Sequence, residues 1–312
     1  MDKIHSSKEI ALIIPYFGTF PEWFDLYLLS CSRNIRVDFY FFTDCEIPGT
    51  TYDNTFFIPT TYESYCDRIS KILRINFHPT SPYKLCDLKP FYGIIHKDVI
   101  SHYLFWGFGD IDLIYGDLNT IINHNNLSKY DILTTHTNRI AGHFTIMRAS
   151  SSYTTACYKI PNWQEKLESQ EHLSVDEDDW IKLIYPEVRL LKALWAYVFH
   201  PLHIPMKYCF EGPLNKIFCN RITKRSFTEY GTTPIPENGQ NWIYNLETGI
   251  LTNFKGKKIP YLHFLFFKKT PYRDTEIYWK EGFNRTNGID DMLRGGGYII
   301  INNHGISYST DL

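Results

Sequence analysis

Asp110 and Asp112 stand one residue apart at the end of the apolar run Tyr103-Leu104-Phe105-Trp106-Gly107-Phe108. Such a run suits a buried strand, and in a strand residues i and i+2 point to one face. The two carboxylates would then project together where the strand leaves its sheet. Like charges that close are costly unless a positive group lies between them. A hard divalent cation with oxygen ligands, magnesium or manganese, meets that need and can bridge the phosphates of a substrate. A loop acid beside a helix N-cap would show the same two letters, so the rest of the chain has to decide.

Four other groups carry chemical potential. Lys84, Asp87 and Lys89 cluster in Ser81 to Pro90, at the start of an expected helix bearing Phe91, Ile94, Ile95 and Val99. A helix N-terminus favours anions, so these lysines point to a phosphate, an acidic neighbour or a solvated face. Asp176-Glu177-Asp178-Asp179 precede an expected apolar helix, Trp180 to Tyr185, where acids also suit capping and dipole complementation. Gly142 and His143 lie in a glycine-containing turn that leads to a strand ending near Arg148. His263 interrupts an aromatic strand from Tyr261 to Phe267 that Lys268 and Lys269 close, where a core histidine and surface lysines are the plainer account.

The elements that must position these groups follow from the hydrophobic pattern. Ile10 to Ile14 and Val37 to Phe42 are continuous apolar runs of the kind a parallel sheet covers on both faces. Between them Phe20, Trp23, Phe24, Tyr27, Leu28 and Cys31 recur at helical spacing, with Pro21 and Glu22 in the expected first turn. Strand, helix, strand makes a βαβ unit, whose ligands bind outside the carboxyl ends of the strands. A strand near Phe56 to Ile58 and a helix from Tyr62 to Leu73 come next, and after the two acids a short helix from Asp117 to Leu127 and a strand from Tyr130. Helical pieces are expected from Ser150 to Leu173 and a helix from Val188 to Phe199. Lys207 to Lys258 reads as loops and hairpins, and Gly295-Gly296-Gly297 as a turn before a strand.

A chain of 312 residues can bury a sizeable core, and without repeats or low-complexity linkers it is expected to form a single domain with a decorated C-terminal half. The formal charge of -2 gives no electrostatic case for nucleic acid. Seven cysteines, odd in number and without a C-x-x-C pair, fit a reduced cytoplasmic compartment better than a disulfide framework. The polar start MDKIHSSKEI gives no signal peptide, and no run approaches the roughly 20 apolar residues that span a bilayer.

Taken in order, the segments are more specific than any one of them. Strands ending in Pro15-Tyr16-Phe17-Gly18 and in Thr43-Asp44, the D-x-D, the glycine loop, Glu177-Asp178 and a late His263-Phe264 with lysines resemble glycosyltransferases of the GT-A fold. Over residues 10 to 150, the segments Ile14 to Gly18, Phe42 to Asp44, Ser81 to Pro90 and Trp106 to Asp117 look like a bacterial family found in surface-polysaccharide (O-antigen or capsule) loci.

The resemblance implies an α/β fold with a GT-A-like, Rossmann-like, mostly parallel central sheet flanked by helices. Residues 1–150 would form the nucleotide-sugar half and residues 151–312 the acceptor half of one domain, 1–312. It implies a sugar-nucleotide donor, most often a UDP-sugar, a manganese or magnesium ion, and a saccharide or lipid-linked saccharide acceptor in lipopolysaccharide or capsule synthesis. Peripheral contact with the cytoplasmic face of the inner membrane is part of that picture.

By residue, the resemblance puts Pro15, Tyr16, Phe17 and Asp44 on the base and ribose, and Lys84 and Asp87 along the same pocket. Asp112 would ligate the metal, Asp110 would reach ribose or metal, and His263 would be the late metal-binding histidine. Lys268 or Lys269 would hold the diphosphate, and Gly142 and His143 would lie at the acceptor. Glu177 and Asp178 match the acidic segment, which supplies a general base in inverting members and positions the acceptor in retaining ones. The crowding of four acids leaves its register open by one residue.

Two competitors remain at this stage: a nucleotide-sugar binding or scaffold protein without turnover, and a nucleotidyltransferase. The second would be expected to carry a glycine-rich basic loop after the first strand, where this chain has Pro-Tyr-Phe-Gly.

Overall fold

The computed structural model describes residues 8–134, 140–184, 193–203, 223–224, 232–268, 279 and 296–311. Strands β1 (Ile10–Pro15), β2 (Val37–Thr43), β3 (Thr55–Pro59) and β4 (Phe105–Gly109) run parallel from one edge to the middle of a seven-stranded sheet. Its order is β3-β2-β1-β4-β7-β6-β8, where β6 is Ile132–Thr134, β7 is Phe144–Arg148 and β8 is Thr223–Lys224. Among the described strands of this sheet only β7 runs against its neighbours. This is the α/β fold with a mostly parallel central sheet that the sequence predicts.

The strands are apolar on both sides because both sides are covered. In β1, Ile10, Leu12 and Ile14 enter one core, and Ala11 and Ile13 enter the other, as a period of two requires. The first core holds helix α1 (Phe24–Ser32), and the second holds helix α2 (Tyr62–Leu73). Helix α1 begins at Phe24 rather than at Pro21. Trp23 stands at its N-cap and donates its indole N–H to the Ile111 carbonyl at 2.9 Å, tying the helix start to the D-x-D bend. Helix α2 has its expected bounds, with Thr61 capping the Ser64 amide and Arg74 ending it in the left-handed region.

The segment expected to be one helix through Val99 is a 3₁₀ run, Pro82–Phe91, followed by two single turns, Tyr92–Ile95 and Lys97–Ile100. Pro90 offers no N–H to an α-helical ladder, and the chain breaks again at His96 (φ -109°, ψ 25°), whose Nε2 bonds the Tyr65 hydroxyl. The expected helix over Asp117 to Leu127 is likewise divided, into Leu118–Thr120 and His124–Lys129.

After β4 the chain bends and leaves the central sheet. Strand β5 (Leu113–Tyr115) pairs antiparallel with β12 (Tyr261–His263), which is shorter than the sequence suggests. A further antiparallel sheet has the order β11-β10-β9-β13-β14, with β9 Trp242–Asn245, β10 Leu251–Thr252, β11 Lys258–Ile259, β13 Tyr298–Asn302 and β14 Gly305–Ser309. The stretch through Lys258, read as loops and hairpins, is loops and short antiparallel strands where it is described. Trp242, Tyr244, Ile299 and Ile301 join the α1 core, so this sheet and the central one share apolar packing. Gly296 and Gly297 take positive φ before β13, as a turn does. Among the described residues no helix is long and apolar enough to cross a membrane.

Candidate functional site

Asp110 and Asp112 converge in a bend rather than on one face of a strand, since β4 ends at Gly109 and β5 begins at Leu113. Two cross-chain contacts fix the bend. The Asp110 amide donates to the His143 carbonyl at 3.0 Å, and the Phe264 amide donates to the Asp112 carbonyl at 2.8 Å. The β5–β12 register sets His263 opposite Leu113. Side-chain atoms of Asp110, Asp112 and His263 consequently lie within 4.8 Å of one another.

The electrostatics of this cluster are unbalanced in a specific way. Lys268 Nζ donates to Asp112 Oδ2 at 2.6 Å, and His263 Nε2 lies 3.5 Å from the same oxygen. Burial works against a charge on Asp112, yet Lys268 and His263 beside it hold its carboxyl well below the usual range. Asp112 Oδ1 is buried and has no hydrogen-bond partner among the described residues. His263 Nδ1 is 3.2 Å from Thr233 Oγ1. A divalent ion at the carboxylates would take the lone pair of Nε2, with the proton then held on Nδ1 toward Thr233. The carboxylates of Asp110 and Asp112, the latter with its buried oxygen unspent, and one imidazole could hold a divalent ion that accepts nitrogen as well as oxygen.

A cavity of about 450 Å³ opens beside this cluster at the carboxyl ends of β1 and β4. Pro15, Tyr16, Phe17 and Tyr83 line one part of it, and Asp110, Asp112, Lys89 and Lys268 another. Phe17 is braced by the rings of Tyr62 and Tyr65, and Tyr16 stacks on Phe20. Asp44 is exposed and accepts the Gly18 amide at 2.7 Å, shaping the turn after β1. Cys86 also faces the cavity, but burial pushes its thiol up to about 12, which leaves a neutral wall and no nucleophile.

The remaining expected residues are divided. Lys84 and Asp87 do not line the cavity. They form a fully buried pair at 2.9 Å, turned toward the chain before the acidic segment. Lys89 is the lysine that reaches the site, donating to Asp110 Oδ1 at 2.8 Å. Burial opposes its charge, but Asp110, Cys86 and Asp176 raise it well above the ordinary lysine range. The sequence left open whether this trio meets a phosphate or an acid, and Lys89 meets an acid.

His143 is buried behind the cluster, stacked on the His263 ring at 4.2 Å and bonded through Nε2 to the Tyr261 hydroxyl at 2.8 Å. It backs His263 rather than facing an open cleft. Gly142 does sit at a junction. A Cβ there would come within 3.1 Å of both Asp176 Oδ2 and Glu177 Oε1, and within 3.7 Å of Lys89 Nζ. Val175–Asp179, which carries the four acids, forms a single π turn leading into the helix Trp180–Ile184, a distortion frequent at functional sites. Glu177 is half-buried there and Asp176 buried. The Asp178 side chain and Lys269 lie outside the described residues. Thr233 was not singled out from sequence, since one of two adjacent threonines inside a loop-rich stretch carries no signal that could have marked it.

A family model described as a family of unknown function, DUF6625, matches residues 12–277. A search of curated proteins finds no match. Among solved structures, the chain is similar at 9% identity to apo mouse xyloside xylosyltransferase 1, over 57% of this chain and 82% of that one, with a TM-score of 0.35. For LgtC, a galactosyltransferase in complex with donor and acceptor sugar analogues, the identity is 10%, the coverage 69% and 85%, and the TM-score 0.33. For the apo glycosyltransferase GlyE of Streptococcus pneumoniae TIGR4 the values are 11%, 70% and 54%, and 0.32.

Proposed function

The chain belongs to the family of unknown function DUF6625, and we propose that it is a metal-dependent glycosyltransferase. It moves a sugar from a nucleotide donor, a UDP-sugar, to a saccharide acceptor in bacterial surface-polysaccharide assembly. The observation that carries this reading is the convergence of Asp110, Asp112 and His263 around an unspent buried carboxylate oxygen, on the wall of a cavity that also holds Lys268.

Each described residue then has a task. Tyr16 and Phe17 supply the aromatic wall for the nucleoside, and Lys268 supplies the cation for the diphosphate. Asp110, Asp112 and His263 would hold manganese, which when bound offsets charge on the departing diphosphate as a Lewis acid. The acceptor hydroxyl oxygen bonds to the anomeric carbon as the bond from that carbon to the diphosphate oxygen breaks; the hydroxyl proton passes to Glu177 where the configuration inverts, or to the departing diphosphate where it is retained, and the nucleoside diphosphate leaves. Glu177, half-buried across Gly142, is the acid placed to take the hydrogen bond of the acceptor hydroxyl. Lys89 keeps Asp110 oriented between the two sides.

Thermal unfolding with a panel of sugar nucleotides, with and without manganese, tests the proposal. UDP is expected to raise the melting temperature only when manganese is present, and Asp112→Ala is expected to abolish that rise together with donor turnover. Absence of any nucleotide effect on the wild-type chain sinks the reading. A nucleotide effect without turnover of any donor would instead identify a binding protein that lacks transfer.

A further inference from the structure

The 3₁₀ run Pro82–Phe91 reaches both sides of the cleft, and two of its charges do work that the donor site does not explain. Lys84 Nζ donates to Asp87 at 2.9 Å and to the backbone carbonyls of Lys166 and Glu171 at 2.7 and 2.5 Å. Asp87 in turn accepts the amides of Leu173 and Val175, each at 2.9 Å. Both side chains are buried. Residues 170–174 belong to no helix or strand, so their backbone groups need partners from elsewhere. The pair provides them up to Val175, one residue before Asp176 and Glu177 meet Gly142. A pair that neutralises itself in the interior has no net charge to offer a phosphate. Its effect is on the chain it holds.

We propose that Lys84 and Asp87 are positioning residues for sugar transfer, a buried clamp that fixes the chain at 171–175 and thereby sets where Glu177 stands relative to Asp110. The inference rests on the glycosyltransferase reading of the cleft. Because Lys89 of the same run holds Asp110, one short element places the donor-side acid and the acceptor-side acids in a common frame. The stretch 170–174, which belongs to no helix or strand, gains a fixed position from that frame.

Asp87→Asn keeps the volume and an acceptor oxygen but removes the charge that holds Lys84. With manganese present, UDP affinity measured by calorimetry is expected to stay at the wild-type value. Transfer from UDP-glucose, UDP-galactose or UDP-N-acetylglucosamine, whichever the wild-type chain uses, is expected to fall roughly a hundredfold in kcat, the effect of a small misplacement at a reacting centre. Loss of UDP affinity in step with transfer would put the pair on the nucleotide, and unchanged transfer would leave it only a packing role. Either result overturns the proposal. Amide exchange in the wild-type chain gives a reading that needs no variant: the Leu173 and Val175 amides should exchange slowly, and fast exchange at both overturns the clamp. A wild-type chain that neither binds UDP nor transfers sugar would defeat the glycosyltransferase reading instead, and the exchange rates would still decide whether the clamp exists.

Discussion

Two lysine–carboxylate pairs in this molecule look alike in a contact map and differ in what they have left to give. Lys84–Asp87 is closed. The ammonium's three protons go to Asp87, the Lys166 carbonyl and the Glu171 carbonyl, and both Asp87 oxygens accept backbone amides. Lys268–Asp112 is open, with the Lys268 side chain 37% exposed and Asp112 Oδ1 buried without a partner among the described residues. Buried charge whose hydrogen bonds are all used holds a fold together. Buried charge with capacity in reserve marks where a ligand belongs.

The largest effect that separates them is on stability. Lys84→Met leaves Asp87 charged in the interior and is expected to cost about 3–5 kcal/mol in denaturant unfolding. Lys268→Met leaves Asp112 on the wall of the cavity with His263 still 3.5 Å away, and is expected to cost less, about 1–2 kcal/mol. Its main effect should appear in weaker UDP binding, while manganese affinity holds because a competitor for Asp112 Oδ2 has gone. Equal stability losses in the two variants would erase the distinction between closed and open pairs.

A smaller effect sharpens the open pair. Thr233→Val keeps the shape of the side chain and removes the hydroxyl that orients His263. Manganese affinity is expected to fall by about tenfold, the low end of the cost of losing a residue behind a ligand. An unchanged manganese titration would mean that His263 is oriented by its stacking on His143 alone.

The same contrast marks the limit of what the sequence made legible. β1 and β2 could be read directly because strands covered on both faces are apolar throughout, and the D-x-D because two acids end such a run. The division of labour among Lys84, Asp87 and Lys89 could not. In a 3₁₀ run each residue turns about 120°, so Lys84 and Asp87, three apart, eclipse one another, and Lys89, two residues after Asp87, points elsewhere. An expected α-helix gives a different allocation, and Pro90 alone did not reveal which helix forms. His263 was visible as an odd residue among aromatics. Its approach to Asp112 depends on the β5–β12 pairing across about 150 residues, a register that no local pattern encodes.

Asp176 is a third kind of buried charge, neither paired off nor opened to a cavity, and its signature is a pH dependence. Its Oδ1 accepts no hydrogen bond among the described residues. Burial pushes its carboxyl up to about 7 from the ordinary 3.8. Lys89 opposes the rise, and Glu177, Asp87 and Asp110 add to it. Between those two values the folded chain keeps a proton that the unfolded chain has released. Stability must therefore fall as pH rises through that window and level off above about 7, opposite to the contribution of a salt-bridged carboxylate. Asp176→Asn removes the titration. Its melting temperature should match that of the wild-type chain near the ordinary carboxylate pKa and exceed it by several degrees in neutral buffer, measured as a difference between the two proteins at each pH. A difference that does not change with pH would show that Asp176 titrates as an ordinary acid. The π turn would then hold it in a setting where Lys89 offsets the cost of burying its charge, and Asp176 would join the closed pair as part of the scaffold.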